Sequence, residues 1–257
     1  MRDPQTKLIA QSYDDYYEIG LYKSRYPCAN PRVLSLILSL VRKENHTAPI
    51  LDFGCGRGRY IDPILQQTDA QVMGFDISKV ALEQTSSIQR LYPDRLALFS
   101  KHDDLHHYIM ENGAPHLTLL LFGVLAHVKG KQQRIALLQW LHRNMLDEGK
   151  LVISVPNRHR RFFLHQFSQA TPSSDIQYER TGAGKTIPLF YHLFTTKTLR
   201  THLEASGFEV EKILAESMLP ESWVNRSQHL SKLDQLLCRM LPASWGYGLL
   251  AIARRIK

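Results

Sequence analysis

Apolar positions along the chain follow two alternating rhythms. Short, nearly continuous apolar runs at 50–53, 71–75, 96–100, 117–122 and 150–155 read as strands buried on both faces. Between and before them, 32–43, 60–67, 79–89, 105–111 and 131–145 read as helices. In the first of these, Val33, Leu34, Leu36, Ile37, Leu40 and Val41 fall at helical spacing, so it is expected to pack on the sheet. Asn30-Pro31 offers that helix a cap and a first helical residue. Strands alternating with amphipathic helices predict a parallel α/β sheet covered on both faces. The rhythm breaks after Pro156-Asn157: residues 158–185, rich in Ser, Thr, Gly, Gln and charge, read as a lid or insertion and not as core. It resumes with a helix at 195–205 stopped by Gly207, a strand at 208–214, a helix at 228–240 and a final strand near 246–253, expected to pair with its predecessor at the sheet edge. The expected division is one domain, with an N-terminal helical or lid segment (1–45), a core (46–157), an insertion (158–194) and a C-terminal completion of the sheet (195–257).

A length of 257 residues suits one such domain. The apolar run 117–128 is too short to span a bilayer and contains Thr118 and His127, and Met1-Arg2-Asp3-Pro4-Gln5 lacks the apolar centre of a signal peptide, so a cytoplasmic chain is expected. Cys28, Cys55 and Cys238 are isolated, with neither a C-x-x-C pair nor zinc-like spacing. A net charge of +8 would suit RNA, anionic head groups or an acidic small substrate and selects none of them. The basic clusters, Arg158-His159-Arg160-Arg161 and Arg254-Arg255, lack the aromatic and glycine pattern of an RNA-recognition module and read as solvated faces. Gly182-Ala183-Gly184-Lys185-Thr186 is not a phosphate loop, because the first glycine of that motif would fall on Glu179.

The chemistry concentrates at Ile50-Leu51-Asp52-Phe53-Gly54-Cys55-Gly56-Arg57-Gly58-Arg59-Tyr60, where an apolar strand meets three glycines at alternate positions and then a helix. Such a turn lets backbone lie against a ligand with no Cβ between them. The spacing G-x-G-x-G departs from the G-x-G-x-x-G of dinucleotide-binding turns. A second strand ends in Asp76, where a doubly wound fold holds ribose hydroxyls; the alternative use of Asp76 is to cap the helix starting near Ser78.

Taken in order, these segments resemble class I S-adenosylmethionine-dependent methyltransferases from about Pro31 to the C-terminus. Asp52 to Gly58 is similar to the family's D-x-G-C-G-x-G, which implies a methionine site at Asp52, Gly54, Cys55, Gly56 and Gly58. The resemblance also implies a ribose acid at Asp76 with Ile77 beside it, an adenine contact at Asp103 with Asp104 adjacent, and cofactor contacts at Phe122 and Gly123 after the fourth strand. The segment 146–157 resembles the family's L-x-x-G-G-x-L-x-x-x-x-P-N. The implied fold is a Rossmann-like doubly wound seven-stranded sheet, mostly parallel with an antiparallel edge strand, and the implied cofactor is S-adenosyl-L-methionine. Many relatives begin the fourth strand with aspartate where this chain has Leu117, so one cofactor-side contact is expected to be missing. Gly123 and Ala126 replace the carboxylates of the E-V-L-E-H segment of ubiquinone-pathway methyltransferases, and no metal is expected.

His127 is the first candidate general base and His192 the second, with a wall or capping role as the alternative for His127. Tyr13, Tyr16 and Tyr17 are candidates for a lid over the sulfonium, since tyrosine faces attract cations. The expected acceptor offers an O or N atom on a small-molecule, lipid-linked or saccharide compound. A tRNA wobble uridine is the alternative, because 189–194 resembles the R-Y-Y-H-x-F segment of that group with Leu189 in place of arginine. A third reading is an inactive cofactor-binding partner subunit.

Overall fold

The computed structural model of the protein describes residues 4–44, 47–162 and 174–257. Strands β1 (Ile50–Phe53), β2 (Val72–Phe75), β3 (Leu96–Phe99), β4 (Leu117–Leu120) and β5 (Lys150–Pro156) pair in parallel. A separate antiparallel hairpin follows, β6 (Asp175–Gly182) and β7 (Lys185–His192). Strands β8 (Phe208–Ser217) and β9 (Gly248–Arg255) complete the main sheet, whose order is β3-β2-β1-β4-β5-β9-β8. The last two strands do pair at that edge, but β9 lies inside, antiparallel to both β5 and β8, and β8 is the outermost strand. Burial explains the order: β9 is apolar and buried along most of its length, whereas β8 carries the exposed Glu209 and Glu211, which suit an edge.

Alternate side chains of one strand feed opposite cores. In β1, Ile50 packs with Val33, Ile61 and Leu117 on one face, while Leu51 and Phe53 pack with Leu105, Leu138 and Leu141 on the other. Each large side chain fully buried in this way stabilises the fold by about 1.5–3 kcal/mol. The helices are α1 (Pro4–Glu18), α2 (Leu21–Arg25), α3 (Pro31–Glu44), α4 (Ile61–Gln67), α5 (Lys79–Leu91), α6 (His102–Asn112), α7 (Lys131–Arg143), α8 (Thr196–Glu204), α9 (Glu221–Val224) and α10 (Gln228–Met240). Asn30 caps α3 as its sequence predicts, its Oδ1 accepting from the N–H groups of Arg32 at 3.0 Å and Val33 at 3.4 Å. Thr195 and Thr198 form a reciprocal capping box at α8. Among the described residues no helix is long and apolar enough to cross a membrane.

The insertion is where the observed structure departs from expectation. Residues 163–173, in its middle, lie outside the described residues. Its second half is the β6–β7 hairpin, turned at Ala183 (φ 48°) and Gly184 (φ 75°), the positive-φ pair that a two-residue hairpin loop requires. One face of the hairpin buries Ile176, Ile187, Leu189 and Tyr191. The glycine cluster is therefore a strand turn, and the segment supplies core on one side despite its polar composition.

Candidate active site

Where β1 ends, the chain reverses immediately, with the N–H groups of Gly54 and Cys55 both donating to the Phe75 carbonyl at 2.7 and 3.0 Å. Gly54 (φ 85°) and Gly56 (φ 55°) take backbone conformations that side chains disfavour. A Cβ on Gly54 would overlap Val124, and one on Gly56 would lie 2.5 Å from the Tyr17 hydroxyl. Gly58 faces Thr85 and Ile88 and so allows α5 to approach. Cys55 is buried with its sulfur towards Gly74, and burial, with Asp76 adding, holds its thiol well above the ordinary range; it is a packing residue. Arg59 anchors the turn from behind through a buried ion pair with Glu221 at 2.8 Å.

Asp76, at the end of β2, reaches across to the same turn. Its Oδ2 accepts from the Gly56 N–H at 2.8 Å and its Oδ1 from the Ser78 N–H at 2.9 Å. The cap of α5 is Ser78, whose hydroxyl accepts from Ala81 at 3.1 Å. Burial raises the Asp76 carboxyl to about 6 against the opposing pull of those two N–H bonds. Burial, reinforced by Asp76, raises Asp52 to about 7.

A cavity of about 470 Å³ opens beside this turn, and two groups of rings line it. Phe75, His102 and Trp140 stand near Gly54, Asp76 and Ile77, with His102 centred 4.7 Å from Phe75 and 5.2 Å from Trp140. Tyr13, His127, Tyr178 and Tyr191 form the other group, with His127 centred 4.4 Å from Tyr191. The N-terminal segment adds Tyr16, Tyr17, Tyr22 and Tyr26 to the lining. Phe122, held at φ 59° with its N–H on Ser154 Oγ at 2.7 Å, lines the cavity, and Gly123 lies under Tyr191. Asp103 and Asp104 occupy the exposed first turn of α6, outside the lining; the residue of that turn facing the cavity is His102. Leu117 starts β4 in register with Ile50, at the far end of the strand from the glycine turn, so a side chain there does not reach this cavity.

Tertiary contacts on both ring nitrogens fix His127. Nδ1–H donates to the Phe190 carbonyl at 2.8 Å, which leaves Nε2 to accept from the Tyr13 hydroxyl. Burial pushes its pKa down from 6.5 to about 3, with Arg161 adding to the burial effect. The unfolded chain therefore binds a proton at His127 between about pH 6.5 and 3 where the folded protein does not, so this group makes stability fall as pH falls through that window. His127→Phe is expected to remove the increment. Urea denaturation of both proteins from pH 7 to pH 4 should show the wild type losing stability relative to the variant, and parallel curves would contradict the assignment. The second candidate, His192, lies elsewhere. Strand alternation turns Tyr191 inward and His192 to the opposite face of β7, where Nδ1 meets Asp175 Oδ1 at 2.5 Å and the ring packs on Phe194.

Sequence reasoning missed Arg161, Tyr178 and Arg180 as lining residues. The available signal was the alternation Ile176, Tyr178, Arg180 and Ile187, Leu189, Tyr191 on either side of Ala183-Gly184. The basic cluster is likewise divided by the fold: Arg158 bonds Ser174, Arg160 bonds the Trp245 carbonyl, and Arg161 turns to the cavity.

No curated protein sequence matches the chain. The structure of an S-adenosylmethionine-dependent methyltransferase from Clostridium acetobutylicum superposes with a TM-score of 0.66 at 8% identity, covering 95% of this chain and 99% of that one. A 1,6-didemethyltoxoflavin-N1-methyltransferase from Burkholderia thailandensis, bound to 1,6-didemethyltoxoflavin and S-adenosylhomocysteine, gives 0.60 at 16% identity over 100% of this chain and 92% of that one. A magnesium protoporphyrin IX methyltransferase from Synechocystis gives 0.60 at 12% identity over 99% and 98%. At such identities the likeness carries the fold alone. A family model described as a methyltransferase domain matches residues 22–213, from the tyrosine-rich helices through the glycine turn to β8. With that match spanning most of the sequence, the chain belongs to the class I S-adenosylmethionine-dependent methyltransferase family.

Proposed function

We propose that this enzyme methylates an oxygen or nitrogen atom of a small-molecule, lipid-linked or saccharide acceptor seated among the rings under the β6–β7 hairpin. One observation carries the reading: a single cavity runs from Gly54 and Asp76 to Tyr13, Tyr178 and Tyr191, so donor and acceptor can share it. The residues suit the cofactor. The glycine turn offers backbone where side chains are excluded. Asp76 has about four lone-pair sites and gives two to Gly56 and Ser78, which leaves acceptors for a ribose diol. Ile77 and the rings of Phe75 and His102 flank the same end.

When bound, S-adenosylmethionine supplies a methyl group on a positively charged sulfonium. The chain's contribution is placement. Holding two reactants in line can lower a barrier by up to about 7–11 kcal/mol. Tyr13, Tyr16 and Tyr17 line the cavity, where tyrosine rings attract a cation and shield it from water. In this reading His127, with its proton at Nδ1 and Nε2 accepting from Tyr13, positions that tyrosine and walls the cavity.

Tritiated cofactor tests the acceptor class. Offered a small-metabolite and lipid extract and, separately, total RNA, the enzyme is expected to label the extract. Label confined to RNA would overturn this reading in favour of the wobble-uridine alternative. Cofactor binding with no transfer to either would favour an inactive partner subunit.

A further inference from the structure

Two guanidinium groups stand in a cavity whose walls are otherwise largely aromatic. Arg161 and Arg180 line both the main cavity and a smaller polar one of about 60 Å³ beside it, and Tyr26, Phe122 and Tyr191 are shared between the two. Arg161 donates to the Tyr247 hydroxyl, with its Cζ 4.5 Å from the Tyr247 ring centroid and 5.8 Å from that of Tyr191. Arg180 has its Cζ 5.0 Å from the Tyr178 centroid and makes no ion pair with any carboxylate among the described residues. A guanidinium resting on a ring still offers in-plane N–H donors, whose fork matches a carboxylate or phosphate.

Two carboxylates stand in the smaller cavity. Glu221 belongs to Arg59. Glu216, hydrogen-bonded to Ser154, is the remaining carboxylate in the small cavity, and burial together with Glu221 biases it towards its neutral form. The two guanidinium groups thus stand among rings that exclude water, where charge acts strongly.

We propose that Arg161 and Arg180 form an anion subsite, so that the acceptor carries a carboxylate or phosphate on a flat apolar body that stacks among Tyr13, Tyr178 and Tyr191. This rests on the methyl-transfer reading above and names its substrate class.

The test uses the full chain saturated with S-adenosylhomocysteine, titrated by calorimetry with 2-naphthoate, 2-naphthyl phosphate and the uncharged 2-naphthamide. At least one of the two anions is expected to bind tenfold or more tighter than the amide, and which one does so distinguishes a carboxylate from a phosphate acceptor. The double variant Arg161→Gln, Arg180→Gln should lose tenfold or more for that anion, leaving the amide within twofold and S-adenosylhomocysteine unchanged. Amide binding as tight as either anion, no anion binding, or a double variant that keeps the preference would overturn the subsite. Should the double variant fail to fold, Arg180→Gln alone, on the partly exposed hairpin, carries the same comparison. Failure of S-adenosylhomocysteine to bind the wild type would strike the methyl-transfer reading itself, separately from the subsite.

Discussion

Asp76→Ala is expected to weaken S-adenosylhomocysteine binding by about tenfold to 150-fold, the equivalent of about 1.5–3 kcal/mol for hydrogen bonds to a buried charged group. The carboxylate acts twice. It would accept the ribose hydroxyls, and it holds the Gly56 N–H at 2.8 Å and the Ser78 N–H at 2.9 Å, which sets the glycine turn against the start of α5. Alanine leaves both N–H groups without that partner, so a loosened turn should add to the lost ligand contact. Asp76→Asn, which keeps one carbonyl oxygen, is expected to fall between wild type and alanine. The pH dependence gives an independent readout. With Asp76 raised to about 6, wild-type affinity should drop as pH falls through that value and the carboxyl takes up a proton, while the asparagine variant stays flatter. Calorimetry from pH 8 to pH 5 measures both effects; an alanine variant that binds like the wild type would remove Asp76 from the ribose role.

Gly54→Ala should destabilise the fold by about 2–5 kcal/mol. Its φ of 85° costs an L-residue about 1–2 kcal/mol, and forcing a methyl group against Val124 adds about 1–3 kcal/mol of overpacking. The two parts are separable. Val124→Ala in the Gly54→Ala background clears the space without changing the backbone, so the double variant is expected to recover the packing part and keep the conformational part. Urea midpoints for the four proteins of this cycle give the coupling directly. Additive effects would show that Val124 does not crowd the turn.

Much of the fold was legible because its signals are local. Apolar runs and helical spacing marked β1 to β5 and the helices between them, and Asn30-Pro31, Ser78 and Gly207 marked element ends, since caps and stops act through the next few residues. The end of the cavity beside the glycine turn was legible for the same reason: Gly54, Asp76 and Ile77 are fixed by strand ends, and the crevice at the carboxyl ends of parallel strands brings them together. Asp103 shows the limit of that register, because one turn of α6 decides which of 102 and 103 faces inward.

The end of the cavity under the hairpin depends on contacts that no local pattern encodes. Tyr13 and His127 meet across 114 residues of chain, a contact that occupies Nε2 of the candidate base, while burial pushes its pKa down. Arg161 looked like part of a solvated basic face and lines the cavity instead, beside an arginine and two tyrosines from a hairpin whose composition resembled a loop. The sequence by itself determined the sheet, the glycine turn and the family. Which side chains enclose the rest of the cavity was decided only by tertiary structure, because the inward face of the β6–β7 hairpin, the packing of α1 and the desolvation of His127 depend on surfaces that come together after each element has formed.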